Sequence, residues 1–200
     1  MSYAWDFGDG NSDEGPLLAH SYDAPGVYTV TLTASNSLGS QQTSTMITVT
    51  EALAFDPGGS QTTSDGALTF SIPMAITGTV TFTYLPQETP TAIPGGFEFA
   101  GLAFDLQATD EGGSPIIEPG EAFTLTIQYT ESALPPGTDE ATLELRRYDE
   151  VSETWLALTV LERDLENNTL TVNLDHFSAF ALLVESAETN QQLFLPLVIR

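Results

Sequence analysis

The stretch LTVNLDHFSAFALLV, residues 170–184, decides the fold. Leu170, Val172, Leu174, Phe180, Leu182 and Val184 recur at every second position or multiples of it, which is the period of a strand with one face on a core. Read as one regular strand, the stretch also places His176 and Ser178 on that inward face. A strand this apolar needs partners, and the chain before it supplies them. Leu68, Phe70 and Ile72 share a face, as do Val80, Phe82 and Tyr84, then Leu102, Phe104 and Leu106, then Phe123, Leu125, Ile127 and Tyr129. Leu143 with Leu145 and the run from Trp155 to Val160 complete the set. Pro86, Pro94-Gly95-Gly96, Gly112-Gly113, Pro119-Gly120, Pro135-Pro136-Gly137 and Asn167-Asn168 punctuate the gaps. Strands at this spacing with such turns predict a β-sandwich, and no segment keeps a helical period over three turns.

Toward the N-terminus the same alternation returns. Tyr3-Ala4-Trp5-Asp6-Phe7 runs into Gly8-Asp9-Gly10-Asn11, residues that tolerate positive φ and so favour a tight hairpin. After Pro25-Gly26, Tyr28, Val30, Leu32 and Ala34 share one face and Thr29, Thr31 and Thr33 the other, and a further strand at 45–50 sets Ile47 and Val49 together. Ala52 to Gly59 shows little periodicity and contains Pro57-Gly58-Gly59, which predicts a linker and a boundary near 50–55.

These motifs carry two resemblances. WDFGDG at 5–10, followed by HSYDAPGVYTVTLTASNSLGS at 20–40, resembles the polycystic kidney disease (PKD) domain, an immunoglobulin-like β-sandwich common in secreted microbial proteins. The resemblance implies that Trp5 packs a core, that Asp6 and Asp9 fix the turn, and that His20 and Tyr22 cap the sandwich. A complete domain of that family has further strands ahead of Tyr3. The expectation is therefore a first sandwich incomplete at its N-terminus, or one whose open edges another chain completes by strand addition. GALTFSIPMAITGTVTFTY at 66–84, GLAFDLQATDEGGSPIIEPGEAFTLTIQY at 101–129, ELRRYDEVSETWLAL at 144–158 and VNLDHFSAFALL at 172–183 resemble the ZU5 domain and its bacterial relatives. That resemblance implies a second β-sandwich used for protein binding, and in some members self-cleavage before the serine of an HFS motif. The expected organisation is all-β, with two immunoglobulin-like antiparallel β-sandwiches in tandem. A partial PKD-like unit covers 1–51, a ZU5-like unit 52–186, and an apolar tail strand 187–200.

Composition narrows the partners. Four Lys+Arg against 28 Asp+Glu give a formal charge of −24, which repels nucleic acid and anionic lipid. No lysine is present, and a surface so acidic and rich in Ser and Thr suits an extracellular or cell-surface protein whose export signal is not in this chain. The absence of cysteine removes disulfides and thiolate chemistry. The longest apolar run, Leu193 to Ile199, is too short to span a bilayer and contains Pro196. Left in water it is an aggregation hazard, so it is expected to dock on a sandwich or to be donated to a neighbour's open edge, building a filament.

The chemistry-bearing candidates are few. Ser178 Oγ attacking the Phe177 carbonyl, with His176 as general base, would cleave the chain between Phe177 and Ser178 and leave the fragments associated. On a flat strand residues two apart sit roughly 6–7 Å from each other, so this chemistry requires the pleat to break there. Asp6, Asp9 and Asp13, with Asn11 and Glu14, form the densest oxygen cluster and are weak calcium candidates, since their spacing is not that of an EF-hand loop and a solvated acidic turn is the better reading. Only two histidines occur, in different segments, which argues against a multi-histidine zinc site. Arg146, Arg147 and Arg163 read as surface ion-pair partners. The leading function is a non-catalytic adhesion or protein-association module. Self-processing, strand donation and a carbohydrate-binding accessory role are the alternatives, the last requiring exposed coplanar aromatics, for which Trp5 and Trp155 are the candidates.

Overall fold

A computed structural model gives the structure of the protein and describes residues 1–75, 80–90, 92–116 and 121–186. Residues 187–200, with the apolar run expected to dock or to be donated, lie outside the described residues. Apart from two single 3-10 turns, Glu131–Ala133 and Glu140–Thr142, every regular element described is a strand, and all strand pairing is antiparallel.

The first four strands, β1 (Ser2–Asp6), β2 (Ser12–Glu14), β3 (Gly26–Asn36) and β4 (Gly39–Val49), form one sheet in the order β2-β1-β3-β4. The β3–β4 hairpin closes over Ser37 and Leu38, where Asn36 Oδ1 accepts the Leu38 amide at 2.7 Å. From Asn36↔Gly39 to Gly26↔Val49 its register is unbroken. The expected strand at 45–50 thus begins six residues earlier, because the polar Gly39–Thr43 pairs as regularly as the apolar part.

One residue, Thr50, separates β4 from β5 (Glu51–Phe55). The predicted linker here is in fact a strand: β5 pairs with β8, and Leu53 and Phe55 are buried. Two inward residues in five give too short a pattern to read as periodic. Eleven strands follow: β6 (Ser60–Thr62), β7 (Leu68–Ser71), β8 (Val80–Gln87), β9 (Phe97–Thr109), β10 (Pro115–Ile116), β11 (Phe123–Gln128), β12 (Glu144–Asp149), β13 (Thr154–Ala157), β14 (Val160–Asp164), β15 (Thr169–Leu174) and β16 (Ala179–Glu185). The larger sheet runs β13-β12-β16-β9-β8-β5 with β10 against the end of β9, and the smaller runs β14-β15-β11-β7-β6. Phe82, Tyr84, Phe104, Leu145, Phe180 and Leu182 from the first meet Phe70, Leu125, Ile127, Leu170, Val172 and Leu174 from the second in one core. Removing these side chains from water, at about 25 cal/mol per Å² of apolar surface, is what holds the two sheets face to face.

The opening stretch proves to be two strands rather than one. Residues 169–174 belong to the smaller sheet and 179–185 to the larger, and Asp175–Ser178 carries the chain across the sandwich. Beyond the crossing the larger sheet is covered on both faces. Phe180, Leu182 and Val184 enter the main core, while Ala181 and Leu183 join Ala103 and Trp155 in a second cluster on the opposite face, against Phe97, Phe99 and Tyr148. Trp155 Nε1 donates to Ala92 O at 3.0 Å, and the Arg146 guanidinium lies 3.9 Å from the centre of the Phe97 ring. Opposite Leu182, β9 bulges between Phe99 and Ala103. Gly101 sits in that bulge at φ +83°, where a Cβ would collide with the Ala133 side chain.

Candidate functional site

The crossover puts Phe177, not His176 and Ser178, into the core. Its ring lies between Phe82 and Phe123, with centroids 5.2 and 5.7 Å away, and the residue is 8% exposed. His176 and Ser178 are half-buried on either side of it. The inward placement expected for both is therefore reversed, because the step between sheets shifts the phase of the alternation. Ser178 Oγ donates to Tyr148 O at 2.6 Å, not to His176, and Ser178 O accepts the Leu106 amide at 2.9 Å. The backbone between β15 and β16 leaves the pleat, and no non-glycine residue from Asp175 to Ser178 has positive φ.

Ser178 lines an open cleft of about 430 Å³ together with Thr83, Asp105, Gln107, Ile116 and Glu150, and His176 does not line it. Phe104 and Leu106 point into the core, so Asp105 and Gln107 point outward from β9. Cross-strand pairing sets Thr83 beside Gln107 and Asp105 beside Ala179 on this outer face. Asp105 is half-buried, and Gln87 Nε2 donates to its Oδ2 at 2.6 Å. Burial pushes the Asp105 carboxyl above the usual carboxylate range, against the lowering effect of the Gln87 bond. No described arginine or histidine forms an ion pair with it. Sequence reasoning missed Asp105 because it occupies an ordinary outward position of an alternating strand. Only the pairing of distant segments, β10 and the turn carrying Glu150, encloses it.

The oxygen cluster at the N-terminus is spent on its own backbone. Asp6 Oδ1 accepts the Gly8 amide at 2.9 Å, Asp13 Oδ1 the Glu14 amide at 2.8 Å, and Asp9 the Asn11 amide and side-chain amide, each at 3.0 Å. Asp6 pairs across the ribbon with Ser12, while Asp13 pairs with Trp5. Adjacent positions face opposite ways, so Asp6 and Asp13 lie on opposite faces of the β1–β2 ribbon and do not converge. No group of three or more His, Cys, Asp or Glu able to hold a metal occurs among the described residues.

Asp9 instead serves a staple. Its Oδ2 lies 2.8 Å from His20 Nε2, and the His20 ring stacks on Phe7 with centroids 3.9 Å apart and planes 6° from parallel. Tyr22 meets His20 edge-on at 4.8 Å, stacks on Tyr28 at 4.2 Å, and donates its hydroxyl to Phe7 O at 3.1 Å. Trp5 Nε1 donates to Gly15 O at 3.0 Å, pinning the long loop across the half-buried face of β1. The turn tolerates only glycine at position 8, where φ is +79° and a Cβ would lie 2.7 Å from Thr29 O.

Residues 1–49 match the PKD domain family. Human polycystin-1 is 29% identical over 98 residues, which is 48% of this chain and 2% of that protein. The chain thus spans about 2% of the length of that relative. In the PKD-matched segment Asp6 and Asp9 accept turn amides, His20 stacks on Phe7 and Tyr22 donates to the Phe7 carbonyl, while Trp5, expected in a core, is half-buried against the loop. The outer strand of this PKD-matched sheet, β4, is exposed along Gly39–Thr48 and hydrogen-bonded on one side, to β3.

The remaining candidates occupy structural positions. Trp155 is 7% exposed within the outer-face cluster, and half-buried Trp5 donates its Nε1 to the loop carbonyl of Gly15. Arg146 pairs with Glu144 at 2.8 Å, as expected of an ion-pair arginine. Arg163 departs from that expectation. Its Nη1 donates to Leu143 O at 2.5 Å and Glu140 O at 3.5 Å, closing the 3-10 turn instead of meeting an acid. No helix among the described residues is long and apolar enough to cross a membrane.

Proposed function

We propose that this chain is an extracellular or cell-surface, non-catalytic module for protein association, with the PKD-matched sheet as its contact element. PKD domains serve as extracellular interaction modules, and the match at 1–49 together with the similarity to human polycystin-1 supports the reading. One observation carries it. β4 is an edge of eleven residues, GSQQTSTMITV, without a charge, a proline or a bulge, in a chain of net charge −24. Native edges are usually blunted by such devices, so a long bare edge is built for pairing with another strand. The occupant we assign is β4 of a second copy. Two copies this acidic repel each other everywhere their carboxylates approach, and β4 is a stretch where backbones can meet without bringing charges together. Beads coated with the protein should cluster in physiological salt, and the double variant Gln42→Lys, Met46→Lys should abolish clustering while leaving the fold intact, because both positions are exposed. Clustering indifferent to these lysines, or none in the parent, overturns the reading.

Self-cleavage between Phe177 and Ser178 is the second reading, favoured by the break in pleat at Asp175–Ser178. It requires the Ser178 hydroxyl to exchange Tyr148 O for a base. Long incubation should then yield two fragments. A single intact mass of 21.4 kDa discards it.

A further inference from the structure

We propose that the cleft beside Ser178 receives a basic side chain, lysine or arginine, presented by a partner protein. The cleft holds about 430 Å³, within the range of about 300–1,000 Å³ of small-molecule sites and enough for one long side chain with its flanking backbone. Half-buried Asp105 and exposed Glu150 both line it, together with Ile116, Pro115 and Ala179, which offer aliphatic surface for a methylene stem. The Asp105 carboxylate carries a burial cost that one amide donor, Gln87, leaves partly uncompensated, and a cation at hydrogen-bond distance would offset it. Among the described residues no cation pairs with Asp105: the chain has no lysine, Arg146 is engaged by Glu144 and Phe97, Arg163 by backbone carbonyls, and Arg147 acts on Asp149.

The competing ligand classes fit less well. Two carboxylates exclude anions, no metal-ligating group of three side chains occurs among the described residues, and Phe177, the aromatic that reaches the cleft, is committed to Phe82 and Phe123, so a sugar finds no stacking face. The net charge of −24 also draws basic partners toward the surface before docking.

The test is a titration of the full chain with acetyl-Gly-Lys-Gly-amide, followed by amide chemical shifts. Saturable shifts are expected at Thr83, Gln107 and Ala179, and none with the norleucine peptide of equal length. Asp105→Asn, which preserves an acceptor for Gln87, should weaken binding at least about tenfold. Glu150→Gln, at an exposed position that leaves folding untouched, should weaken it roughly two- to fivefold. Non-saturating shifts, equal shifts with norleucine, or indifference to both substitutions overturn the proposal. Competition by calcium chloride at matched ionic strength would reassign the cleft to a metal and overturn it as well. The inference is independent of the β4 contact, since the Gln42→Lys, Met46→Lys variant keeps the cleft and should bind the peptide unchanged.

Discussion

Asp9 shows how a single side chain organises the N-terminal sheet. Burial alone would raise its carboxyl, yet the Asn11 side chain, His20 and the Asn11 backbone together lower it from 3.8 to about 2. A carboxyl whose folded value lies below its unfolded value contributes stability that is present above the unfolded value and lost as pH falls through the folded one. The staple should therefore weaken between pH 3.8 and about 2. Asp9→Asn should remove that acid-sensitive component, and the amide shifts of Gly10 and Asn11 followed by acid titration would show it. An unaltered acid transition in Asp9→Asn would discard the staple. These roles were legible in the sequence because turn chemistry is local: an aspartate two residues before a glycine or asparagine amide reaches it whatever the rest of the chain does. The stacking of His20 on Phe7 was not legible, since it depends on a loop folding back over thirteen residues.

At the scale of elements, the crossover at Asp175–Ser178 is the feature that pattern reading mistakes. A strand before the crossing and a strand after it both alternate, so their periods join smoothly in the sequence although they serve opposite sheets. One signal was available. Phe180 to Val184 is apolar without interruption, the mark of a strand covered on both faces, whereas 169–174 alternates with Thr and Asn as a half-exposed strand does. The anchor of the crossing is Phe177, wedged between a ring from β8 and one at the start of β11. Phe177→Ala should cost about 3–5 kcal/mol in denaturant unfolding, the range for an aromatic removed from a packed core. His176→Ala, at a half-buried position outside the main core, should cost much less. Equal losses for the two would mean that the crossing is not held by its aromatic. The register of β5, β6 and β14 was hidden for a related reason, since each is an edge or near-edge strand whose few inward residues are set by partners far along the chain.

The whole molecule folds against its own charge. Among the described residues Arg146 pairs with Glu144 and His20 Nε2 lies against Asp9, and several further carboxylates accept backbone amides in turns, as at Asp110, Asp149 and Asp164. The Val151 amide and the Ser152 hydroxyl hold Asp149, and the Asn167 side chain with its backbone amide holds Asp164, below the usual carboxylate range, so both keep their charge and add to the mutual repulsion. Repulsion among exposed charges reaches about 30 Å at 0.01 M salt and about 10 Å at 0.1 M, and the unfolded chain relieves it by expanding. Raising sodium chloride from 0.01 to 0.15 M should therefore raise Tm by roughly 2–4 °C, the shift that about 1 kcal/mol produces for a chain of this length. A flat Tm would mean that repulsion among the exposed carboxylates does not limit the stability of the folded chain. Calcium chloride at matched ionic strength should act through the same screening and give no saturable change at the amides of Gly8, Asn11 and Glu14. Asp6 and Asp13 face opposite sides of their ribbon and Asp9 is held by Asn11 and His20, so the acids that crowd the sequence there have no common point at which to hold an ion.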